Sequence, residues 1–213
     1  LWSAFESELQ PEVVKHLHVV SHGNLHNLPL SLGAPSGLRV RQYPGLVYYW
    51  MVHNRDAGAI VVDNERPLSA EVCAANEPAG EGLFNGLKPI PHVLTEYTLL
   101  AGCWGKVDSL LNQRQRGDGR PATITHIACH GTLEREGQED PCLILGPDKA
   151  LNLLELLNGE KSSRIIYLSA CLVGQTKEDV DGDPLSLVGA WILRGATAVL
   201  ALLTALSAMW APL

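Results

Sequence analysis

Two short apolar runs, each ending at a chemically reactive residue, constrain this chain more than any other feature of its sequence. The first reads HIACHG and ends at His130 and Gly131, and the second reads IIYLSACLVG and carries Cys171. Short continuous apolar runs followed by small residues are typical of buried strands. In a parallel sheet the carboxyl ends of the strands lie at one edge, where catalytic groups collect. A histidine and a cysteine at that edge predict a base and a thiol nucleophile.

The chemistry of thiols indicates why such a pair is useful. A free thiol has a pKa of about 8.5, so only a small fraction is thiolate at neutral pH. A neighbouring imidazole corrects this, as an ion-pair partner or as a general base. We therefore predict Cys171 as the nucleophile and His130 as the base. Ser169 and Thr132 are candidates for orienting the pair, or simply cap a strand or loop.

The pattern of elements predicts an α/β fold with a mostly parallel sheet and helices on both faces, because strands alternate with helices. In the second half we predict strands at 122–129, 142–146, 164–170 and 196–203 and helices at 151–158 and 184–194. In the first half we predict strands at 16–21, 38–43, 46–52 and 58–63, a loop at 66–91 and helices at 93–104 and 107–115. Pro44-Gly45 divides 38–43 from 46–52, which favours a hairpin-like excursion.

The two apolar runs also resemble the histidine and cysteine motifs of the CHAT peptidases, a branch of the caspase–metacaspase–separase superfamily. Supporting similarity is found at 22–30, 141–145, 151–154 and 182–200, so the resemblance spans about residues 17–203. It implies a caspase-like three-layer α/β/α sandwich forming a single domain over 1–213. It also implies a cysteine endopeptidase with a His130–Cys171 dyad and an oxyanion hole built from the backbone N–H groups of Gly131 and Cys171. The resemblance also implies that the active centre contains neither a cofactor nor a metal.

CHAT domains commonly follow helical repeats or a ligand-sensing domain, and neither pattern precedes the motifs here. The chain is accordingly expected to be either a standalone domain or a fragment of a longer protein, with activity controlled by a sensor or repeat-domain partner. The family resemblance places such proteins in antiviral or cell-death circuits. The competing interpretation is a catalytically silent caspase-like interaction module, which the intact dyad argues against and a shortened C-terminal element argues for. A flavodoxin-like ligand binder is a third interpretation, but no glycine-rich phosphate loop follows the first strand.

An acidic segment follows the cysteine motif and offers a hypothesis about substrate specificity. Glu178, Asp179, Asp181 and Asp183 either form a solvated loop or line the substrate pocket. Metacaspases and separases accept basic P1 residues, so the resemblance nominates Asp181 and Asp183 as substrate-binding residues. Those relatives often carry an acid two residues before the cysteine, where this chain has Ser169, which is the third candidate for substrate binding.

Composition excludes several other classes of function. The net charge of −7 disfavours a nucleic-acid surface. Five cysteines without paired spacing give no disulfide framework, and no secretory signal is visible, which predicts a cytoplasmic protein. The apolar stretch 196–213 approaches the length of a membrane span, but we interpret it as a buried strand and an interface segment. We expect no membrane contact and a protein substrate as the main partner.

Four histidines near the N-terminus, His16, His18, His22 and His26, suggest a metal site at first sight. The first two fall on one face of a predicted strand and the others in the loop after it, so the four do not converge as zinc ligands must. We therefore predict no metal. His126 is interpreted as a core or edge residue, and Cys129 and Cys142 as small buried hydrophobes.

Overall fold

The computed structural model of the chain describes residues 2, 13–21, 25, 28–54, 70–74, 90, 93–103, 105–106, 123–132, 141–146, 149–159, 162–171 and 186–202. The strands in these ranges are β1 (His16–Val20), β2 (Arg39–Tyr43), β3 (Ala70–Ala74), β4 (Gly105–Lys106), β5 (Ile124–Ala128), β6 (His130–Thr132), β7 (Cys142–Gly146), β8 (Lys149–Asn152), β9 (Ile165–Ser169) and β10 (Ala198–Ala201). The helices are α1 (Leu46–Asn54), α2 (Val93–Cys103), α3 (Leu153–Asn158) and α4 (Leu187–Leu193).

The central element is a five-stranded sheet with the order β10-β9-β5-β3-β4. Every pairing in it is parallel. Parallel neighbours need crossover connections, which explains why strands far apart in sequence lie side by side. The predicted α/β class with a parallel sheet is confirmed.

The main hydrophobic core lies on one face of this sheet. Ile127 of β5 and Leu168 of β9 are paired in register and are almost fully buried. Leu156 of α3 and Trp191 of α4 pack in the same cluster and are fully buried. Burying a side chain of this size stabilises a fold by about 1.5–3 kcal/mol, so this layer fixes β5 and β9 relative to each other.

The opposite face of the sheet also contacts a helix. Side chains alternate along a strand, so Ala128 faces away from the side occupied by Ile127. Ala128 is fully buried against Ile90 and Val93, the first residue of α2. Both faces of β5 are therefore covered, as its continuous apolar sequence predicts.

Two helices begin directly after a capping residue of a type that the sequence makes recognisable. Asn152 caps α3: its side chain accepts a hydrogen bond from the backbone N–H of Glu155, whose own side chain accepts one from the backbone N–H of Asn152. Ser186 caps α4 by accepting a hydrogen bond from the N–H of Gly189 at 3.0 Å. These reciprocal or single caps satisfy backbone donors that a helix start leaves unpaired.

The prediction for residues 46–52 was wrong, because α1 lies where a strand of a hairpin-like excursion was expected. The aromatic and β-branched residues of this segment favour strands. Here they form a helix because Tyr48 and Val52, one turn apart, are buried in a cluster with Tyr43 and Ile192. Tertiary packing overrides local propensity, and the preceding strand β2 pairs with β1 in parallel instead.

The predicted loop at 66–91 was also wrong in part, since it contains β3. This five-residue strand pairs with both β5 and β4 inside the central sheet. The glycines, prolines and acidic residues on either side of it dominated the composition of the window and hid the strand. The predicted strand at 58–63 and the predicted helix at 107–115 lie outside the described residues.

A second, antiparallel sheet follows β5 directly. Its order is β6-β7-β8, and only β7 was predicted. His130 pairs with Ile144 and Gly131 with Leu143 in this sheet. The strands β6 and β8 are short, and β8 runs straight into α3, which is why the helix was predicted to begin at 151 rather than 153.

Within the described residues, no helix combines the length and the apolar character that a bilayer crossing requires. Part of the apolar stretch 196–213 forms the predicted strand, β10.

Candidate active site

The register of the central sheet places the two predicted catalytic residues at the same level. The strands β5 and β9 are adjacent and parallel, and Ala128 is paired with Ser169. Two residues further along each strand, the chain reaches His130 and Cys171. Both residues therefore leave the carboxyl edge of the sheet from neighbouring strands.

One backbone contact extends the pairing toward this edge. The N–H of Cys129 donates a hydrogen bond to the carbonyl oxygen of Ser169 at 3.3 Å, beyond the last paired residue of β5. Cys129 itself is buried in the main core with Ile127. Because side chains alternate, residues 128 and 130 belong to the opposite face. The prediction that Cys129 is a buried apolar residue is confirmed, and Cys142 is buried as predicted.

The face of the sheet opposite the main core carries an aromatic pair, nearer the amino-terminal ends of β5 and β9 than the predicted dyad. His126 of β5 and Tyr167 of β9 are in register, and their rings stack with centroids 4.7 Å apart and an interplanar angle of 20°. His126 is 6% exposed, as expected of a core residue, whereas Tyr167 is 41% exposed. Each lies four residues before one member of the predicted dyad. Tyr167 was not singled out from the sequence, although its alternation with Ile166 and Leu168 could have placed it on this face.

His130 occupies the point at which the chain passes from one sheet to the other. Only Cys129 separates the end of β5 from the start of β6, and His130 is half-buried there. Its pairing with Ile144 fixes the backbone from the antiparallel side, while β5 fixes it from the parallel side. The backbone of His130 is thus constrained on both of its flanks.

Cys171 follows β9 after one intervening residue. Ala170 is buried in the main core, and Cys171 is half-buried, in contrast with Cys129 and Cys142, which are buried. Ser169 lies two residues before Cys171 and is half-buried. By strand alternation Ser169 belongs to the same face as Tyr167.

Of the other predicted site residues, two lie in β6 and two lie outside the residues that the structure describes. Gly131 lies in β6 beside His130, and Thr132 ends that strand opposite Cys142. Asp181 and Asp183 lie outside the described residues, as does the rest of the acidic segment. Among the residues that the structure describes, no group of three or more histidine, cysteine or acidic side chains converges as a metal site would require.

These features define a mixed α/β protein in which two adjacent parallel strands are each followed, two residues later, by a histidine and a cysteine respectively. The chain belongs to the CHAT domain family, whose match covers residues 83–211, more than half of the sequence, and includes both His130 and Cys171. CHAT is a caspase-like, peptidase-related domain. The family match does not extend to residues 22–30, whose similarity to the opening of CHAT domains stays a prediction. No curated protein matches the chain in sequence.

Proposed function

We propose that this protein is a cysteine endopeptidase with a caspase-like α/β/α sandwich, in which Cys171 attacks the scissile carbonyl of a protein substrate. The observation that carries the proposal is the shared level of His130 and Cys171 on paired strands, two residues beyond Ala128 and Ser169. Membership of the CHAT family supports the same reaction class.

In the proposed reaction, His130 accepts the thiol proton as Cys171 attacks, and it then donates that proton to the leaving amine. The acyl group is held as a thioester on Cys171 until water releases it, with His130 acting as the base for the water. The developing oxyanion is stabilised by the backbone N–H groups of Gly131 and Cys171. The two donors would come from the glycine that directly follows the proposed base and from a nucleophile at the start of a turn, and each is worth about 3 kcal/mol in comparable enzymes.

Substrate binding is assigned in the proposal to the face of the sheet that carries Ser169 and Tyr167. Ser169 lies two residues before the nucleophile, and the exposed fraction of Tyr167 leaves its ring available to a substrate chain. Asp181 and Asp183 are proposed to receive a basic P1 side chain. The acidic pair follows the nucleophile closely in sequence, which supports this assignment.

The test of the proposal is a cleavage-site profile. Wild type, Cys129→Ala and Cys171→Ala are each incubated with a denatured proteome, and new N-termini are identified by mass spectrometry. We expect termini that appear with wild type and with Cys129→Ala but not with Cys171→Ala. A profile for wild type that matches Cys171→Ala would show that the isolated chain does not cleave proteins, which both the silent interaction module and control by an activating partner predict.

Thiol alkylation gives a second test that does not depend on a substrate. Cys171 is more accessible than Cys129 and Cys142, so faster labelling by iodoacetamide alone would reflect only exposure. The informative comparison is His130→Ala, which removes the imidazole and, as a truncation, adds no atoms that would shield the thiol. We expect the labelling rate of Cys171 to fall in this variant; an unchanged rate would show that His130 does not activate the thiol.

A further inference from the structure

A cavity of about 710 Å³ lies between β2, β10, α1 and α4. Sites for small molecules typically have volumes of about 300–1,000 Å³ and mostly apolar walls. One wall here is apolar and is formed by Val52, Val188, Ile192 and Val199. Arg41 lines the cavity and is exposed to solvent, so a ligand has access from outside.

Among the described residues that line this cavity, basic side chains outnumber acidic ones. Arg41, His53 and Arg164 line the cavity, and none of the lining residues that the structure describes is aspartate or glutamate. The whole chain has 23 acidic residues against 16 lysines and arginines, so its composition favours the reverse. A concave surface with one sign of charge and apolar walls concentrates its electric field and attracts ligands of opposite charge.

The two arginines come from separate elements and are fixed by different contacts. The carbonyl oxygen of Arg164 accepts hydrogen bonds from the N–H of Thr197 at 2.8 Å and from its hydroxyl at 3.1 Å. Arg41 lies in β2, paired with His18 of β1. Burial raises the pKa of Tyr43, and the charge of Arg41 together with a hydrogen bond between the Arg41 side chain and Tyr43 opposes that rise. The backbone of each arginine is thus held in place at the cavity.

We propose that this cavity binds a small organic phosphate, with Arg41 and Arg164 holding the phosphate and the apolar wall holding the organic body. Guanidinium groups form paired, charge-assisted hydrogen bonds with phosphate oxygens. Arg41, His53 and Arg164 come from a strand, a helix and the residue before a strand, so basic residues border the cavity on three different elements. That arrangement suits a tetrahedral dianion better than a planar carboxylate, which takes one guanidinium edge-on.

The cavity is separate from the proposed peptidase site. Arg164 directly precedes β9, whereas Cys171 follows it, so the two lie at opposite ends of one strand, roughly 20 Å apart along the chain. The inference therefore goes beyond the proposed function and does not depend on it.

Calorimetric titration of the chain tests the inference with phenyl phosphate as the probe. Inorganic phosphate, benzyl alcohol and benzoate serve as comparison ligands that lack the apolar body, the anion and the phosphate, respectively. Arg41→Gln and Arg164→Gln remove one guanidinium each. Arg39→Gln is the matched control, because Arg39 is an exposed arginine of the same strand that does not line the cavity.

We expect saturable binding of phenyl phosphate that is tighter than binding of any comparison ligand. Each of Arg41→Gln and Arg164→Gln should weaken it by about tenfold or more, as expected for the loss of a charge-assisted hydrogen bond, and Arg39→Gln by less than about twofold. Because Arg41 is exposed, Arg41→Gln should keep the native circular dichroism spectrum even if Arg164→Gln does not. Absence of saturable binding, equal binding by inorganic phosphate, or an Arg41→Gln protein that binds like wild type would overturn the proposal.

Discussion

Gly189 of α4 lies directly against the ring of Tyr48 of α1. A Cβ atom at position 189 would lie 2.7 Å from the Tyr48 hydroxyl oxygen and 2.8 Å from its Cζ. Tyr48 is 3% exposed, so its ring has little room to move. The close approach of the two helices therefore depends on the absence of a side chain at this glycine.

The first prediction follows from this contact. Replacing a helical glycine by alanine normally stabilises a protein by about 0.5–1 kcal/mol. We expect Gly189→Ala instead to lower the free energy of unfolding by about 1–3 kcal/mol, because the added methyl group overpacks the interface. Urea denaturation measures the change. Gly146→Ala is the control, since its nearest neighbour would be the Cβ of Lys149 at 3.7 Å, an ordinary contact. A stabilised Gly189→Ala protein would contradict the expected overpacking.

The second prediction concerns pH. Burial lowers the pKa of His18, and the charges of His53, Arg41 and His16 lower it further. The unfolded state therefore binds a proton at His18 more readily than the folded state, so stability is full above the unfolded pKa of about 6.5 and falls as the pH drops below it. The rings of Tyr43 and Tyr49 also pack on His18 without offering a negative charge.

Urea midpoints measured from about pH 8 to about pH 5 check this direction. We expect His18→Gln to lose part of the decline below neutrality. His16→Gln, on the same strand but exposed, should retain most of it. A steeper decline in His18→Gln than in wild type would show that the sign is reversed.

The third prediction concerns the stacked pair His126 and Tyr167. Aromatic pairs of this geometry contribute about 0.5–1.5 kcal/mol beyond the burial of their area. A double-mutant cycle with His126→Ala and Tyr167→Ala should give a coupling of that size in the free energy of unfolding. Tyr167→Phe keeps the ring and should stay close to wild type. Strictly additive effects of the two alanine substitutions would show that the rings do not interact in solution.

The fourth prediction is that the proposed dyad acts as one chemical unit. Cys171→Ala and His130→Ala should each reduce peptide cleavage to background, and the double variant should be scarcely worse than either alone. Rates on a peptide taken from the cleavage profile provide the measurement. Cys129→Ala, whose side chain belongs to the core face, should retain activity. Turnover near the wild-type rate in either dyad variant would rule the pair out.

The fifth prediction concerns substrate specificity. If Asp181 and Asp183 receive a basic P1 side chain, charge reversal at both should reduce cleavage after arginine and lysine far more than after neutral residues, because an unpaired buried charge is costly. Charge reversal at Glu178 and Asp179 provides a control of equal charge change. A P1 profile that is the same in both double variants and in wild type would place the specificity determinants elsewhere.

The sequence predicted the elements around the candidate site better than those in the first half of the chain. The strands β5 and β9 lie in short apolar runs, and such runs are recognisable without knowledge of their neighbours. The sequence did not predict that His130 and Cys171 lie at matching positions beyond the ends of two neighbouring strands. It depends on the pairing of Ala128 with Ser169, a long-range contact that no local pattern encodes.

The two segments that the sequence assigned wrongly show again that local patterns do not encode long-range contacts. Residues 46–52 have strand propensity, and only burial of Tyr48 and Val52 against α4 makes them helical. The strand β3 is short, and its place between β5 and β4 is decided by partners elsewhere in the chain. In both cases the deciding free energy comes from contacts that are distant in sequence.

The parallel pairing of β5 with β9 also sets an order of events during synthesis and folding. The ribosome releases His130 well before Cys171, and the two strands can pair only once the intervening chain has formed its crossover. Neither half of the proposed dyad has a partner until that late, non-local step is complete. A nascent chain or a truncated product ending before β9 would therefore lack the proposed dyad, whose two residues come together only with the finished sheet.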